Sequence, residues 1–158
     1  MRVLSLDPGE QVGWARADVD VFYAAQDDPQ PSCFVLTDIR HGITPLWDMV
    51  DAVARVIDDE YDVIVMEKWR LYRGYEKQFI GSEFPSVQFI GAVKFLTRRY
   101  GVKLVMQGAD VQKVGIARAK ADGHPLYEVM TKPVAHNDGH DQSALAHLYY
   151  YAWRESTR

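Results

Sequence analysis

The stretch Val3-Leu4-Ser5-Leu6-Asp7-Pro8-Gly9 is a short apolar run that ends in an acidic turn. A run of this kind closed by Asp-Pro-Gly is typical of a buried strand followed by a tight turn. Residues 12–17 then show the alternating pattern of the return strand of a hairpin. A third strand is predicted over residues 33–37, so the chain is expected to begin as an antiparallel meander.

A helix and a strand of a different kind are predicted after the meander. Thr44 is expected to cap the helix, with Pro45 at its first position. Apolar residues then recur at helical spacing at Leu46, Val50, Val53 and Ile57. Residues 62–66 form an apolar run that ends at Glu67, the pattern of a central parallel strand entered from a crossover helix.

The middle of the chain is predicted to form a long loop, a helix and a strand. Residues 68–82 are polar, aromatic and punctuated by glycine, which favours a functional loop. The helix has Pro85 in its first turn and ends at Gly101. Its apolar face consists of Phe89, Val93 and Leu96. The strand is predicted over residues 102–106.

Two further helices are predicted, a short one over residues 109–114 and a final one over residues 141–154. Residues 115–139 have few periodic apolar positions and several glycines and prolines, so they are expected to be mostly loop. The apolar face of the final helix consists of Leu145, Leu148, Tyr149 and Ala152. The whole chain therefore predicts an α/β protein with the element order βββαβαβα.

Composition favours one globular domain over residues 1–158, since 47% of the residues are apolar and 25% are charged. No apolar run approaches the roughly 18 residues of a membrane-spanning helix, and Asp7 comes too early for the apolar core of a signal peptide. Cys33 is the only cysteine, which excludes an intrachain disulfide and a zinc site built on Cys-x-x-Cys. We expect a cytoplasmic protein without a membrane partner.

The net charge of −4 hides a strong division along the chain. Residues 1–67 hold 4 Lys or Arg and 14 Asp or Glu, whereas residues 68–120 hold 11 and 3. The overall acidity argues against a nucleic-acid partner, but a basic middle segment supplies the footprint that phosphate binding needs. The alternative is that the acidic and basic segments only form solvent-exposed surfaces of opposite charge and bind no partner.

Acidic residues stand at the ends of three elements that the predicted order brings together. Asp7 ends the first strand, Glu67 ends the fourth, and Asp138 and Asp141 flank the start of the last helix. A cluster of four acids needs cations, and an all-oxygen donor set selects Mg²⁺ or Mn²⁺. Two such ions roughly 3.5–4 Å apart are a common device for phosphodiester hydrolysis. Each acid also has a structural interpretation, as a turn residue or a helix cap.

Several short segments carry a family resemblance when they are taken in chain order. They are residues 4–9, 13–15, 63–67, 89–93, 110–113 and 144–146, together with the pair Asp138-x-x-Asp141. In this order they resemble the RuvC-type Holliday junction resolvases of the ribonuclease H-like superfamily, with a phage-encoded branch as one interpretation. The resemblance covers nearly the whole chain. It implies a ribonuclease H-like fold, with a mixed five-stranded sheet and helices on both faces.

The resemblance also implies site residues. By position, Asp7, Glu67, Asp138 and Asp141 would be the ligands of two Mg²⁺ ions per site, with Mn²⁺ as a substitute. This chain departs from the family where Gln142-Ser143 separates Asp141 from the apolar residues 144–146, so Asp138, His140 and Asp141 all remain candidate ligands.

Histidines and lysines complete the set of site candidates. His140 is either a ligand or general base, or a partly exposed loop histidine; His136 and His147 are expected to be structural. The resemblance implies that lysines in the last part of the basic middle segment, residues 113–120, assist catalysis. Lys113, Arg118 and Lys120 are therefore candidates for contacting the scissile phosphate, and Lys113 is taken as the catalytic one.

A basic, aromatic segment follows Glu67 directly. Its cations and rings are Lys68, Trp69, Arg70, Tyr72, Arg73, Tyr75, Lys77 and Phe79. Cations can follow phosphates, and a ring can stack on an unpaired base. The candidate DNA-binding residues are Lys68, Arg70, Tyr72, Arg73, Lys77, Phe79, Arg118 and Lys120. The alternative is that Trp69 and Phe79 belong to the core and that the charges are only solvated.

The sequence thus predicts a Mg²⁺-dependent, structure-specific DNA endonuclease that resolves four-way junctions. Because such a junction is nearly two-fold symmetric and needs two cuts, a homodimer is expected. The alternatives are a ribonuclease H-like nuclease that acts on flaps, forks or RNA, and a catalytically silent DNA-binding adaptor. The expected location is the cytoplasm, or the host cytoplasm if the chain is phage-encoded.

Overall fold

The computed structural model describes residues 1–23, 33–68, 84–133 and 139–158, apart from the side chains of Val56, Asp58 and Asp59. Within these ranges the strands are β1 (Arg2–Asp7), β2 (Gln11–Phe22), β3 (Cys33–Pro45), β4 (Val63–Glu67) and β5 (Lys103–Gln107). The helices are α1 (Leu46–Glu60), α2 (Pro85–Tyr100), α3 (Asp110–Ala121), α4 (Leu126–Thr131) and α5 (His140–Ser156). No helix in these ranges is both long and apolar enough to cross a membrane.

The strands form one mixed sheet in the order β3-β2-β1-β4-β5. The first three pair antiparallel as a meander. Strand β4 then pairs parallel with β1, and β5 pairs parallel with β4. The mixed five-stranded α/β sheet expected from the sequence is confirmed, and β1 lies at its centre.

Both faces of the sheet are covered by helices, as expected. Successive residues of the central strands point to opposite faces, so that Leu4 and Leu6 belong to one core and Val3 to the other. The first core includes buried residues of α1 and α2, and the second includes buried residues of α3, α4 and α5. Burial on both faces explains why β1 and β4 are continuous apolar runs rather than alternating ones.

The expected apolar faces of three helices are confirmed. In α1 the residues Leu46, Val53 and Ile57 are buried and Val50 packs against them. In α2 the buried residues include Phe89 and Val93, and Leu96 packs against the same core. In α5 the buried residues include Leu145, Leu148, Tyr149 and Ala152. Helix α2 also ends as expected, at Gly101 in the left-handed conformation with φ of 71°.

The prediction that Thr44 caps α1 is wrong. Strand β3 continues to Pro45 because β2 pairs with it over its whole length, from Gln11 opposite Pro45 to Phe22 opposite Cys33. Thr44 is therefore a strand residue, and its hydroxyl accepts a 3.0 Å hydrogen bond from Trp14 Nε1. Pro45 takes the N-cap position, and no described side chain caps α1.

The prediction that residues 115–139 are mostly loop is also wrong. Helix α3 continues through Gly115 to Ala121, and α4 follows over Leu126–Thr131. A Cβ atom at Gly115 would overlap the backbone carbonyl of Ala146 in α5. Gly115 is therefore a site of close helix contact rather than a helix breaker. Its small neighbour Ala119 is also fully buried, which explains the weak apolar periodicity of α3.

Two helical glycines allow a test of this close contact. Gly115→Ala should lower the free energy of unfolding by about 1–3 kcal/mol, because α3 and α5 must separate to admit the methyl group. Gly91→Ala is the matched control, since a Cβ there meets no atom within 4 Å. It should raise stability by roughly 0.5–1 kcal/mol through helix propensity. Urea unfolding measures both, and a stabilising Gly115→Ala would contradict the close packing of α3 on α5.

Candidate active site

Two acidic residues end neighbouring strands at one edge of the sheet. Leu6 of β1 is opposite Met66 of β4 in the parallel register, so the next residue of each strand, Asp7 and Glu67, emerges at the same edge. Asp7 is only 7% exposed, and the side chain of Glu67 is 20% exposed. The pair expected from the sequence is therefore formed by strand register, and both acids are largely shielded from water.

Helix α5 begins directly above this pair. Gly13 of β2 is opposite Asp7 in the antiparallel register. A Cβ atom at Gly13 would overlap the backbone carbonyl of His140, the first residue of α5. The absence of a side chain at Gly13 is thus what allows the first turn of α5 to reach the acidic edge of the sheet.

His140 contacts the first of the two acids. Its Nδ1 lies 2.9 Å from Asp7 Oδ2, and one quarter of its side chain is exposed. An imidazole held by a carboxylate has a fixed ring orientation, which leaves its other nitrogen aimed in a defined direction. The structure therefore places His140, one of the three candidates named for the start of this helix, at Asp7.

The second acid is held by residues further along α5. Glu67 Oε2 lies 3.1 Å from His147 Nε2 and 3.4 Å from Ser143 Oγ. His147 Nδ1 is in turn 2.6 Å from Oε1 of Gln107, the last residue of β5. His147, expected to be structural, thus contacts a candidate ligand, and so does Ser143, which is not among the candidate site residues. Their spacing from His140 is three and seven residues, which places all three on one helix face and was the available signal.

Asp141 has a different environment from Asp7 and Glu67. Its Oδ2 lies 2.9 Å from Nδ1 of His41 on β3. Its Oδ1 is buried and has no hydrogen-bond partner among the described residues. The side chain of Asp141 is thus paired with the meander rather than with the two strand-end acids.

The remaining candidate ligand, Asp138, lies outside the described residues, as does His136. Within the described ranges, no three His, Cys, Asp or Glu side chains are grouped so that they could hold a metal ion. The structure therefore places Asp7 and Glu67 at neighbouring strand ends and His140 in contact with Asp7, but it does not group three candidate ligands among the described residues.

The lysine and arginine candidates on α3 differ in how they are held. Arg118 forms an ion pair with Asp122, with a nearest distance of 2.8 Å, and its guanidinium lies 5.4 Å from the ring centre of Trp153. The Lys120 ammonium lies 5.7 Å from the ring centre of Tyr127. Lys113 is exposed near the start of α3 and makes no hydrogen bond or ion pair with a described residue.

Asp122 also explains how the Arg118 pair is connected to the core. It accepts a 2.9 Å hydrogen bond from the hydroxyl of Tyr149 on α5. Burial, reinforced by this hydrogen bond, raises the pKa of the Tyr149 phenol above its usual value, so that it remains a donor. Arg118 is therefore part of a contact between α3 and α5.

Only Lys68 of the basic, aromatic segment lies within the described residues. Arg70, Tyr72, Arg73, Lys77 and Phe79 lie outside the described residues, together with Trp69 and Tyr75. Lys68 is exposed directly after β4, and its backbone N–H donates to the carbonyl of Gln107 at 2.7 Å. Lys68 thus marks where the segment leaves the sheet, next to Glu67.

The sheet order, with parallel β1 and β4 ending beneath the last helix, defines a ribonuclease H-like α/β fold. Among solved structures, the chain is similar to Thermus thermophilus RuvC in complex with Holliday junction substrate, with a TM-score of 0.57 and 18% identity over 99% of this chain and 98% of that chain. It is also similar to the fowlpox virus Holliday junction resolvase, with a TM-score of 0.54 and 15% identity over 98% of this chain and 99% of that chain.

A structure of the fowlpox virus resolvase with substrate Holliday junction DNA has a TM-score of 0.51 and 16% identity, over 95% of this chain and 99% of that chain. No protein-family model and no curated protein matches the sequence. The resemblance to Holliday junction resolvases that the motifs indicate is thus confirmed in the fold.

Proposed function

We propose that this chain is a metal-dependent endonuclease that resolves four-way DNA junctions, and that it acts as a single domain. The observation that carries the proposal is the pair of shielded carboxylates, Asp7 and Glu67, at neighbouring strand ends. The fold supports it, because the solved structures with this fold include resolvases, two of them determined with Holliday junction DNA.

The residues at this edge fit a hard divalent cation. Mg²⁺ in phosphate-processing sites is usually bound by one or two carboxylates and the substrate phosphate, and it retains several waters. Asp7 and Glu67 can supply the two carboxylates. The buried Oδ1 of Asp141, which has no hydrogen-bond partner among the described residues, is a further oxygen close to the start of α5. Asp138, His140 and Asp141 remain the candidates for the other ligand positions. We infer a site for two Mg²⁺ ions, with Mn²⁺ as a substitute.

A bound ion of this kind would polarise the scissile phosphate and make a water molecule more acidic. The residues of the chain supply the other functions. Asp7 orients the His140 ring, so that the imidazole can accept a proton at a fixed position if it is not itself a ligand. Among the exposed cations of α3 we assign Lys113 to the scissile phosphate, since Arg118 is paired with Asp122 and Lys120 lies over the ring of Tyr127.

Branched DNA is the proposed partner. The basic segment over residues 68–120 begins beside Glu67, so its cations can follow the phosphates that lead to the site. Its rings can stack on bases that are unpaired at a branch point but not in an intact duplex. A homodimer would present two such sites to a two-fold symmetric junction.

The first prediction concerns the two acids. Asp7→Asn and Glu67→Gln should each lower the cleavage rate of a synthetic four-way junction by more than roughly 100-fold, because a ligand is lost outright rather than merely reoriented. The melting temperature in metal-free buffer should stay equal or rise, since one of two adjacent carboxylates is neutralised. Asp20→Asn, an exposed carboxylate on β2, is the matched control and should leave cleavage unchanged.

Divalent cations and alternative substrates complete this test. Cleavage should require Mg²⁺ or Mn²⁺, and full activity in EDTA would contradict the mechanism. Three-way, flap, fork, linear and RNA substrates run in parallel separate junction resolution from a broader nuclease. Tight junction binding without cleavage by the native protein would identify a silent adaptor.

A second prediction concerns DNA affinity. Replacing Arg70, Arg73 and Lys77 together by Ala should reduce the slope of log K against log salt concentration by up to about 2.7, since each neutralised phosphate contributes about 0.9. Arg55→Ala on α1 is the control, because it removes an exposed cation from the acidic part of the chain. Fluorescence anisotropy on a labelled junction measures both, and an equal slope in all three proteins would assign the loop charges to the solvated surface.

A further inference from the structure

We propose that His147 is a positioning residue that fixes the carboxylate of Glu67 and determines which of its oxygens a metal ion can bind. The inference rests on the proposed function in that it assigns Glu67 to a metal site. The inference goes beyond the proposed function because His147 is not one of the candidate ligands and reaches the metal site only through Glu67.

The His147 ring is held at both of its nitrogens. Nε2 lies 3.1 Å from Glu67 Oε2, and Nδ1 lies 2.6 Å from Gln107 Oε1. Glu67 and Gln107 are paired across β4 and β5 in the parallel register. The ring therefore bridges two neighbouring strand ends from the helix above them. It has no exposed surface, so bulk water does not compete for these contacts.

The position is unusual for a polar side chain. The described residues contain seven buried polar or charged side chains, and three of them, Gln107, Ser143 and His147, form one chain of contacts that ends at Glu67. The neighbouring buried residues of α5 are apolar, including Ala144, Leu145 and Leu148. An apolar side chain would fill the same space without the cost of burying polar atoms. Convergence on one carboxylate points to a role at Glu67 rather than to packing alone.

The two carboxylate oxygens of Glu67 therefore have different roles, one as a hydrogen-bond acceptor and one as a candidate metal ligand. An ionised carboxylate can only accept, so a hydrogen bond between His147 Nε2 and Oε2 has the ring nitrogen as its donor. The role of Nδ1 toward the side-chain amide of Gln107 follows from the tautomer of the ring. Ser143 contacts the same oxygen. Oε1 makes no described hydrogen bond, so it is the oxygen left to face a cation. Glu67 should therefore bind through Oε1, at a position set by His147.

The test compares two substitutions of His147 with a control on the same helix. His147→Leu keeps an apolar filling but removes the donor, whereas His147→Gln retains an N–H that can reach Glu67. Tyr149→Phe removes a buried hydrogen bond of α5 to Asp122 without touching Glu67. The DNA-free readout is Mn²⁺ affinity of the full chain, measured by electron paramagnetic resonance of free Mn²⁺.

Mn²⁺ affinity should fall roughly 10–100-fold in His147→Leu, the usual effect of losing a residue that supports a metal ligand. It should return to within a few-fold of the native value in His147→Gln and stay native in Tyr149→Phe. In junction cleavage, the Mn²⁺ concentration for half-maximal rate should rise in His147→Leu by the same factor.

Several outcomes overturn the proposal. The proposal is wrong if His147→Leu binds Mn²⁺ with native affinity. It is also wrong if Tyr149→Phe loses as much Mn²⁺ affinity as His147→Leu, which would indicate general loosening of α5. Absence of Mn²⁺ binding by the native chain also overturns it. If His147→Leu does not fold, Gln107→Met removes the polar partner of Nδ1 instead, and native affinity in that variant then overturns the proposal. A native chain that binds Mn²⁺ but cuts no junction would refute the proposed function, while the His147 comparison would still stand on binding alone.

Discussion

The parallel pairing of β1 with β4 is the constraint on which the rest of the structure depends. Because Leu6 is opposite Met66, two acids that are 60 positions apart in the sequence emerge at neighbouring points of one sheet edge. Two adjacent and poorly hydrated carboxylates are unfavourable unless hydrogen bonds or cations compensate them. Side chains of α5 supply the hydrogen bonds, and the proposed metal site would supply the cation.

Helix α5 supplies the side chains that contact the two strand-end acids. Its one face supplies His140 to Asp7 and Ser143 and His147 to Glu67. Close approach on two sides holds the helix in place, with β2 at Gly13 and with α3 at Gly115. The same contacts that bury the apolar residues of α5 thus set the positions of the polar ones. Fold stability and site geometry are therefore not separable in this helix.

The sequence predicted the elements whose patterns are strong and local. The apolar runs of β1 and β4, the faces of α1, α2 and α5, and the adjacent placement of Asp7 and Glu67 follow from period and order alone. The length of helix α3 could not be predicted from apolar periodicity, because the helix packs through the small residues Gly115 and Ala119. The full length of β3 depends on its pairing with β2, which no local pattern reveals.

The site was predicted less completely than the fold, and for a related reason. Asp7 and Glu67 stand at element ends, where sequence order is informative. The contacts of His147 with Gln107 and of Asp141 with His41 join residues 40 and 100 positions apart. Such pairs depend on how α5 is rotated over the sheet, and the sequence contains that information only through packing. The relation of His140, Ser143 and His147 was nonetheless visible as helical spacing.

In the proposed metal centre, Asp7 at the end of β1 and Glu67 at the end of β4 bind a cation under α5. Anomalous diffraction from crystals soaked in Mn²⁺ tests it most directly, because the ion is located without reference to activity. We expect an anomalous peak within coordination distance, about 2.0–2.3 Å, of a carboxylate oxygen of both Asp7 and Glu67. A peak located only elsewhere, or an edge without Mn²⁺ at saturating concentration, would contradict it.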